Sequence, residues 1–582
     1  MVVITLDTTR ADRLGCYGYG AAVTGTIDAL ALRGVLFEHA YATAPLTLPA
    51  HASLFTGLYP KEHGLRTNGK HRLDADLPTL AEVMSEHGYE TGAFVASFVL
   101  DEKFGLSQGF DYYGDDLTGT EPTDEALHRS RSGNFVIDEA LRWLGEQTTQ
   151  PFFCWIHLYD PHAPYLEHRD EFGDRFQDRP YDAEIAYVDL QISRLLQFLQ
   201  SRRLDESTMI VVIGDHGEGL GDHHERRHGM MLYNATMHVP FVMALPGTLP
   251  AGRRIPAPVS QVDFLPTLLD ILQLDGGFSH SGRSLLSMIR GDNVPTAAIY
   301  GETDEPLIDS GWSSLQSLTT AEWKYIRTSR PELYDMTQDP AELHNLAGER
   351  ADVSEQLEQD MAELEAGMET RRAGHVQLSQ QEERALSGLG YVGSSRTRVQ
   401  GDLQENRPDI KDMIVHYNAL EDAHVLLEQG EYDRAIRQFQ QLAAAAPDYE
   451  LAATGLGDAL FRQGNVEAAI RAYTEVLQKN PENSLAHFHL GDALGEQGNY
   501  AAAVACYEQA LEREPDSAKL HYNLARTLIL LGNDDEASSH LERALENDPG
   551  FVFALIELGN VNSRRGLLTR ALLNYRKALE YQ

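Results

Sequence analysis

The run Met209-Ile210-Val211-Val212-Ile213-Gly214-Asp215-His216-Gly217-Glu218 sets the fold class. Its first half is apolar without interruption and rich in β-branched residues. It reads as a strand buried on both faces, the kind that forms parallel sheets covered by helices. At its end the chemistry changes at once to carboxylate and imidazole. In open α/β sheets the site forms beyond the carboxyl ends of the strands, so Asp215 and His216 stand where reacting groups belong.

Working outward, the same kind of run recurs at 2–6, 93–95, 152–158 and 241–245, and helical stretches lie between several of them at 77–87, 137–146 and 183–201. The alternation predicts an α/β domain over residues 1–369 with a mostly parallel central sheet. Two further strand ends carry polar groups. The first strand finishes Ile4-Thr5-Leu6-Asp7-Thr8, and the run at 152–158 leads into His157, Asp160 and His162. Each has a plain structural explanation alone, since Asp7 could cap a turn and Asp-His-Gly could be a loop. Three such ends in one sheet point to a site. Asp7, Asp215 and His216 form a carboxylate and imidazole set suited to a divalent transition metal, because calcium prefers all-oxygen shells. One ion is expected, manganese or zinc ahead of calcium or magnesium. The loop Gly221-Asp222-His223-His224-Glu225-Arg226-Arg227-His228, with Asp160, is a candidate for a second.

The stretch Pro45-Leu46-Thr47-Leu48-Pro49-Ala50-His51-Ala52-Ser53-Leu54-Phe55-Thr56-Gly57 predicts a helix with Pro49 in its first turn. Thr47 then lies just before a helix N-terminus, where backbone N–H groups favour anions. A threonine there could equally be no more than a helix cap.

The C-terminal part has a different rhythm. Gly430, Gly464, Gly498, Gly532 and Gly566 recur every 464 − 430 = 34 residues, in phase with Ala435, Ala469, Ala503, Ala537 and Ala571 and with Pro447, Pro481, Pro515 and Pro549. Phe439, Tyr473, Tyr507, Leu541 and Tyr575 keep the same phase. That period, with glycine between two helices and proline after the second, resembles the tetratricopeptide repeat. Residues 413–582 are therefore expected to form five repeats, an all-α solenoid that binds a protein partner or self-associates and does no chemistry. In-phase His424, Asp458, Asp492, Arg526 and Asn560 are expected to line its groove. Residues 370–412, with Gly388, Gly390, Gly393, Ser394 and Ser395, read as a linker.

Composition narrows the partners. The formal charge is 48 − 88 = −40, which disfavours nucleic acid and anionic lipid surfaces. An anionic substrate then needs local positive charge, and a bound cation is an economical source. Cys16, Cys154 and Cys506 are odd in number and widely separated, so neither a disulfide framework nor a Cys-rich zinc module is expected. No apolar run reaches the roughly 18 residues of a membrane-spanning segment. A strand-like run from Val2 leaves no room for a signal peptide. The same abrupt start is what a chain lacking its leader would show, which leaves a periplasmic or extracellular location open.

In combination, Asp7, then Thr47-x-Pro49-x-His51-Ala52-Ser53-Leu54-x-Thr56-Gly57, then His162-x-Pro164-Tyr165, then Asp215-His216-Gly217 resemble the sulfatase family of the alkaline phosphatase-like superfamily. The resemblance extends to about residue 368, through Trp323-Lys324-Tyr325 and Glu332-Leu333-Tyr334-Asp335. It implies that Thr47 is the nucleophile and that Asp7, Asp215 and His216, with the Thr47 oxygen, hold metal. His51, Asn68, His162 and His228 would hold the transferred anionic group, with His162 or His228 as leaving-group acid. Three departures matter. Thr47 replaces the cysteine or serine that becomes formylglycine, His51 replaces an arginine, and Thr8 stands where a second aspartate is common. A formylglycine hydrate expels sulfate by breaking its own carbon–oxygen bond. A threonine ester lacks that exit, so water must attack phosphorus or sulfur directly. The implied activity is hydrolysis of a phosphate-type ester (phosphodiester, phosphonate or phosphomonoester) ahead of a sulfate ester. The alternatives are phosphotransfer to a sugar or lipid, or a degenerate scaffold acting through its repeats.

Overall fold

A computed structural model describes residues 1–117, 130–146, 151–376 and 407–581, with 378, 382 and 386. It divides into two compact units, the first built mainly from Met1–Leu307 and Trp312–Val376, the second from Lys411–Gln582.

In chain order the first strands are β1 (Val2–Leu6), β2 (Val35–Tyr41), β3 (His71–Arg72), β4 (Glu90–Phe94), β5 (Tyr112–Gly114), β6 (Phe152–Leu158), β7 (Ile210–Gly214), β8 (His238–Val239), β9 (Phe241–Ala244) and β10 (Arg253–Ser260). All but β3 join one sheet in the order β10-β2-β9-β7-β1-β6-β4-β5, with β8 paired to β2. β1 lies between β6 and β7, parallel to both, and its five residues are buried. The unbroken apolar runs thus mark the strands with neighbours on both sides and helices on both faces. β8 and β9 are the exceptions to the parallel arrangement, β9 running antiparallel to β7 and β2 and β8 antiparallel to β2. The predicted helices at 77–87, 137–146 and 183–201 are present as Leu80–Glu86, Gly133–Glu146 and Pro180–Ser201.

A second, antiparallel sheet follows, made of β11 (Ile299–Thr303), β12 (Leu315–Thr319), β13 (Trp323–Arg327) and β14 (Glu332–Asp335). The helix Ala351–Gly367 covers it, burying Leu357 and Met361 against Tyr300, Leu318, Tyr325 and Leu333. The first unit runs on past residue 369. β15 (Gly374–His375) pairs with β3, the Arg371 amide donates to the Lys61 carbonyl and the Val376 amide to the Lys70 carbonyl. Gly64, at φ 83°, lets this return segment approach, since a Cβ there would lie 2.5 Å from the Ala373 nitrogen. Gly388, Gly390, Gly393, Ser394 and Ser395 lie outside the described residues.

The second unit is a series of paired helices, from Ile410–Glu428 and Tyr432–Ala445 through to Val552–Arg564 and Leu568–Glu580. The five phased glycines turn each pair at positive φ, between 74° and 89°. A further rule emerges from the packing. Tyr473, Tyr507 and Tyr575 lie on Gly457, Gly491 and Gly559, where a Cβ would meet the ring at 2.3 to 2.7 Å. Their hydroxyls donate to Asp458, Asp492 and Asn560 at 2.6, 2.6 and 2.8 Å. Where the in-phase side chain carries no hydroxyl, at Phe439 and Leu541, the corresponding residues are His424 and Arg526. The polar residues expected to read a ligand in the groove therefore include three that hold the repeats' own tyrosines. Among the described residues no helix is long and apolar enough to cross a membrane. Cys16, Cys154 and Cys506 are free thiols.

Candidate active site

The site forms where the sheet predicts, beyond the carboxyl ends of β1 and β7. Asp7 follows β1, Asp215 and His216 follow β7, and Thr47 opens the helix Thr47–Thr56. All four side chains are buried. Thr47 Oγ1 lies 3.4 Å from Asp7 Oδ2 and 3.3 Å from His216 Nε2, and His216 Nε2 is 3.6 Å from Asp215 Oδ2.

Thr47 is not a helix cap. The N-cap residue is Leu46, whose side chain makes no capping bond, and the Thr47 hydroxyl points at the carboxylate and imidazole. Thr47 is also inside the helix rather than before it. The backbone around it offers an anion less than expected, because the Leu48 amide donates to Asn68 Oδ1 at 2.9 Å and Pro49 has no N–H. Asn68 Nδ2, by contrast, is a buried donor that makes no hydrogen bond.

The donor set fits a divalent ion. Asp7 Oδ1 and Asp215 Oδ2 are buried acceptors with no hydrogen bond, an expensive condition unless a cation completes them. Burial raises the Asp7 carboxyl to about 8 and holds that of Asp215 well above the ordinary range. His216 Nδ1 donates to the Gly217 carbonyl at 3.0 Å, which leaves the Nε2 lone pair directed at Asp215 and Thr47. Asp7, Asp215 and His216 together form a group that can hold a metal ion.

Supporting residues fix these ligands. His157 Nε2 donates to Asp7 Oδ2 at 3.1 Å, while its Nδ1 accepts from the Ala96 amide at 3.4 Å. The Thr8 and His216 amides donate to Asp215 Oδ1 at 3.1 and 2.6 Å, which turns Oδ2 toward the site. To do so Thr8 sits at φ 46°, a strained region for a β-branched residue. Neither role is legible locally: Thr8 stands out in the sequence only as a departure from the family pattern, His157 has no distinguishing neighbour, and an unfavourable φ leaves no signal.

His51 departs from its expected role. Its Nδ1 donates to the Thr47 carbonyl at 2.7 Å, and its Nε2 accepts from Thr5 Oγ1 at 2.9 Å. Trp155 Nε1 donates to the same hydroxyl at 3.0 Å. Both ring nitrogens are thus engaged, and burial holds the imidazole neutral by pushing its pKa well down. His51 anchors the first turn of the nucleophile helix to β1 and offers an anion no charge.

His162 and His228 do reach the site. The His228 ring lies 4.4 Å from that of His216 and 5.1 Å from that of His162, centroid to centroid. His228 Nδ1 donates to Glu218 Oε1 at 3.1 Å, and the Tyr165 hydroxyl donates to Glu218 Oε2 at 2.8 Å.

The second metal centre for which Asp160 and the 221–228 loop are a candidate is not assembled among the described residues. Asp160 accepts from Ser132 Oγ and the Gly133 amide at the start of the helix Gly133–Glu146. Asp222 pairs with Arg10 at 2.8 Å, His223 stacks on Tyr233, and Glu225 Oε1 accepts from the Met230 and Met231 amides. Among the described residues the other group with metal-ligand spacing is His51, His157 and Asp215, whose imidazoles are already committed to protein partners.

Residues 1–274 match the family model described as Sulfatase, and 221–367 match that described as N-sulphoglucosamine sulphohydrolase, C-terminal. The first unit is a sulfatase-family domain. Tetratricopeptide repeat models match residues 420–484, 454–498 and 488–550. The chain is 25% identical to a Delta 4,5-hexuronate-2-O-sulfatase of Bacteroides thetaiotaomicron, over 60% of this chain and 84% of that protein. It is 26% identical to arylsulfatase K of Rattus norvegicus, over 58% of this chain and 72% of that one. A phosphonate monoester hydrolase of Agrobacterium radiobacter shares the fold, with a TM-score of 0.53 and 24% identity over 63% of this chain and 95% of the other. Sulfatases cleave esters, so the family match and the two sulfatase relatives support an ester hydrolase.

Proposed function

We propose that the sulfatase-family domain is a metal-dependent hydrolase that cleaves a phosphate-type ester through unmodified Thr47. The observation that carries this reading is the Thr47 hydroxyl, relieved of any capping duty and held 3.3 to 3.4 Å from His216 and Asp7. Asp7, Asp215, His216 and the Thr47 oxygen would hold a divalent ion, manganese or zinc ahead of calcium or magnesium. When bound, it supplies the positive charge that lowers the pKa of the hydroxyl and offsets the charge on the non-bridging oxygens.

The chain's own residues do the rest. Thr47 Oγ attacks phosphorus in line with the leaving oxygen. Asn68 Nδ2 donates to a non-bridging oxygen, the leaving oxygen takes a proton from His162 or His228, and water then releases the phosphoryl group from Thr47. The repeats are proposed to serve a protein partner or self-association. A sulfate ester is the second reading, favoured by the two relatives named as sulfatases.

A panel of nitrophenyl phosphodiester, phosphomonoester, phosphonate and sulfate esters tests this against wild type and Thr47→Ala. Turnover of a phosphorus ester by wild type alone is the expected result. Preference for the sulfate ester overturns the substrate class, and unchanged turnover by Thr47→Ala overturns the nucleophile.

A further inference from the structure

We infer that His521 and His540, in the repeats, form a binding site for a divalent transition metal, copper(II) or nickel(II) ahead of zinc, distinct from the active site. The two side chains stand on the helices Ala518–Leu530 and Asp534–Asn547, so a bound ion ties those helices together.

The Nδ1 atoms of the two imidazoles lie 2.9 Å apart. His521 Nε2 donates to the Pro515 carbonyl at 3.0 Å, which places the lone pair of the neutral ring on Nδ1, facing His540. A backbone carbonyl on the far nitrogen is a common device for orienting a metal-binding histidine. Burial lowers the pKa of both rings, which keeps them in the neutral form that binds metal. The preceding repeat shows the same device. At 521 − 34 = 487 and 540 − 34 = 506 stand His487 and Cys506. His487 Nε2 donates to the Pro481 carbonyl at 2.8 Å, and its Nδ1 is buried with no hydrogen bond. In the repeats on either side the same positions hold Ala453 with Ala472 and Leu555 with Asn574. Across these four repeats the oriented histidine and a second imidazole or thiol occur together or not at all.

In the metal-free pair His540 Nδ1 donates to His521 Nδ1. An ion takes the place of that bridging proton, which His540 carries on Nε2 instead, so no proton is lost. Metal–nitrogen bonds of about 2.0 to 2.1 Å set two nitrogens about 2.9 Å apart at a right angle and about 3.3 Å apart in a tetrahedron. The observed 2.9 Å matches the right angle, the cis arrangement of copper(II) and nickel(II) with nitrogen and oxygen ligands. A turn of the half-buried His540 ring aims both lone pairs at the ion. Asp516 and Glu536 are carboxylates whose charge reaches the two rings, and they or water complete the shell. Arg543, whose charge also reaches His521, is paired with Glu546 at 2.8 Å. With two imidazoles the site is smaller than the three-residue groups of the first unit.

Copper(II) is the probe, on the untagged full-length chain. After dialysis against excess copper and removal of free ion, elemental analysis should find one ion fewer per chain in His540→Ala and in His521→Gln than in wild type. That difference does not depend on what the active site holds. Equal copper in wild type and both variants overturns the assignment. Circular dichroism checks that each variant keeps its helices. His540 is half-buried and His521 buried, so His540→Ala carries the test should His521→Gln unfold.

Two further readouts identify the ligands and the link. In Asp215→Ala, made to clear the active site, the electron paramagnetic resonance of bound copper should contain a component coupled to two imidazole nitrogens, lost when His540→Ala is added. A component that survives His540→Ala overturns the ligand pair. Copper should also slow amide hydrogen exchange across residues 518–547 in wild type and not in His540→Ala. Exchange unchanged by copper in wild type shows that no ion joins the two helices. An Asp215→Ala chain that retains as much copper as wild type contradicts the active-site ligands, while the loss on His540→Ala still decides this site.

Discussion

Carboxylates that pack against neighbouring helices or strands occur in both units, half-buried in the repeats and fully buried at the sulfatase-domain site, and they are treated in opposite ways. In the repeats, Asp492 Oδ1 accepts from Tyr507 at 2.6 Å and Asn523 at 2.9 Å, and Asp458 accepts from Tyr473 at 2.6 Å with His489 3.4 Å away. Protein donors complete them, and their work is to join helices. In the sulfatase domain, Asp7 and Asp215 each keep one buried oxygen with no partner. Their other oxygens are aimed by His157 and by the strained Thr8. Burial alone does not mark a functional carboxylate, since Asp263 is buried too but accepts from the Ser260 and Arg283 amides. What sets Asp7 and Asp215 apart is that their incomplete oxygens converge with His216 in one group of metal-ligand spacing.

This contrast is open to attack from both sides. The largest effect should come from Asp215→Ala, which removes an incomplete oxygen. Elemental analysis should find the bound ion gone, and turnover should fall at least about 10³-fold, as expected when several kcal/mol of charge stabilisation is lost. Full retention of metal would show that Asp215 is not a ligand. Next, His157→Phe removes the donor that orients Asp7. Metal affinity by equilibrium dialysis should weaken about 10- to 100-fold, the usual cost of losing a ligand's outer partner, while the fold is kept.

A pH effect follows from the same oxygens. Without metal, Asp7 titrates near 8 in the folded chain against the ordinary 3.8. Its contribution to stability is complete below about pH 4 and is lost as pH rises through 8. A divalent ion takes the proton's place, so the gain in Tm on adding manganese should be larger at pH 8 than at pH 5. An equal gain at both would contradict a carboxylate shell. The smallest effect belongs to the repeats. Tyr507→Phe should cost about 1 kcal/mol in stability, the net worth of one hydrogen bond, and leave turnover untouched.

The sequence exposes periodic or uninterrupted features and hides those made by distant contacts. β1, β6 and β7 could be read because their apolar runs are buried on both faces, and the repeats because five phases coincide. β10 could not: it is an edge strand with Pro256 and Pro258 and a register shift between Ile255 and Pro258. At the site, Asp7, Asp215 and His216 were legible from strand ends, while Thr47 and Asn68 needed the family resemblance. His51 was misjudged, since nothing local reveals that Thr5 and the Thr47 carbonyl take both its nitrogens. The link from Tyr165 through Glu218 to His228 spans 53 and then 10 residues, separations that no local pattern connects.

The most direct test is to trap the intermediate. The full-length chain, loaded with manganese or zinc, is mixed with a phosphorus ester it turns over, quenched in acid within one turnover and mapped by peptide mass spectrometry. A phosphoryl group on the peptide holding Thr47, absent from Thr47→Ala, is the expected result. Turnover with no adduct at Thr47, together with near wild-type activity in Thr47→Ala, would contradict it.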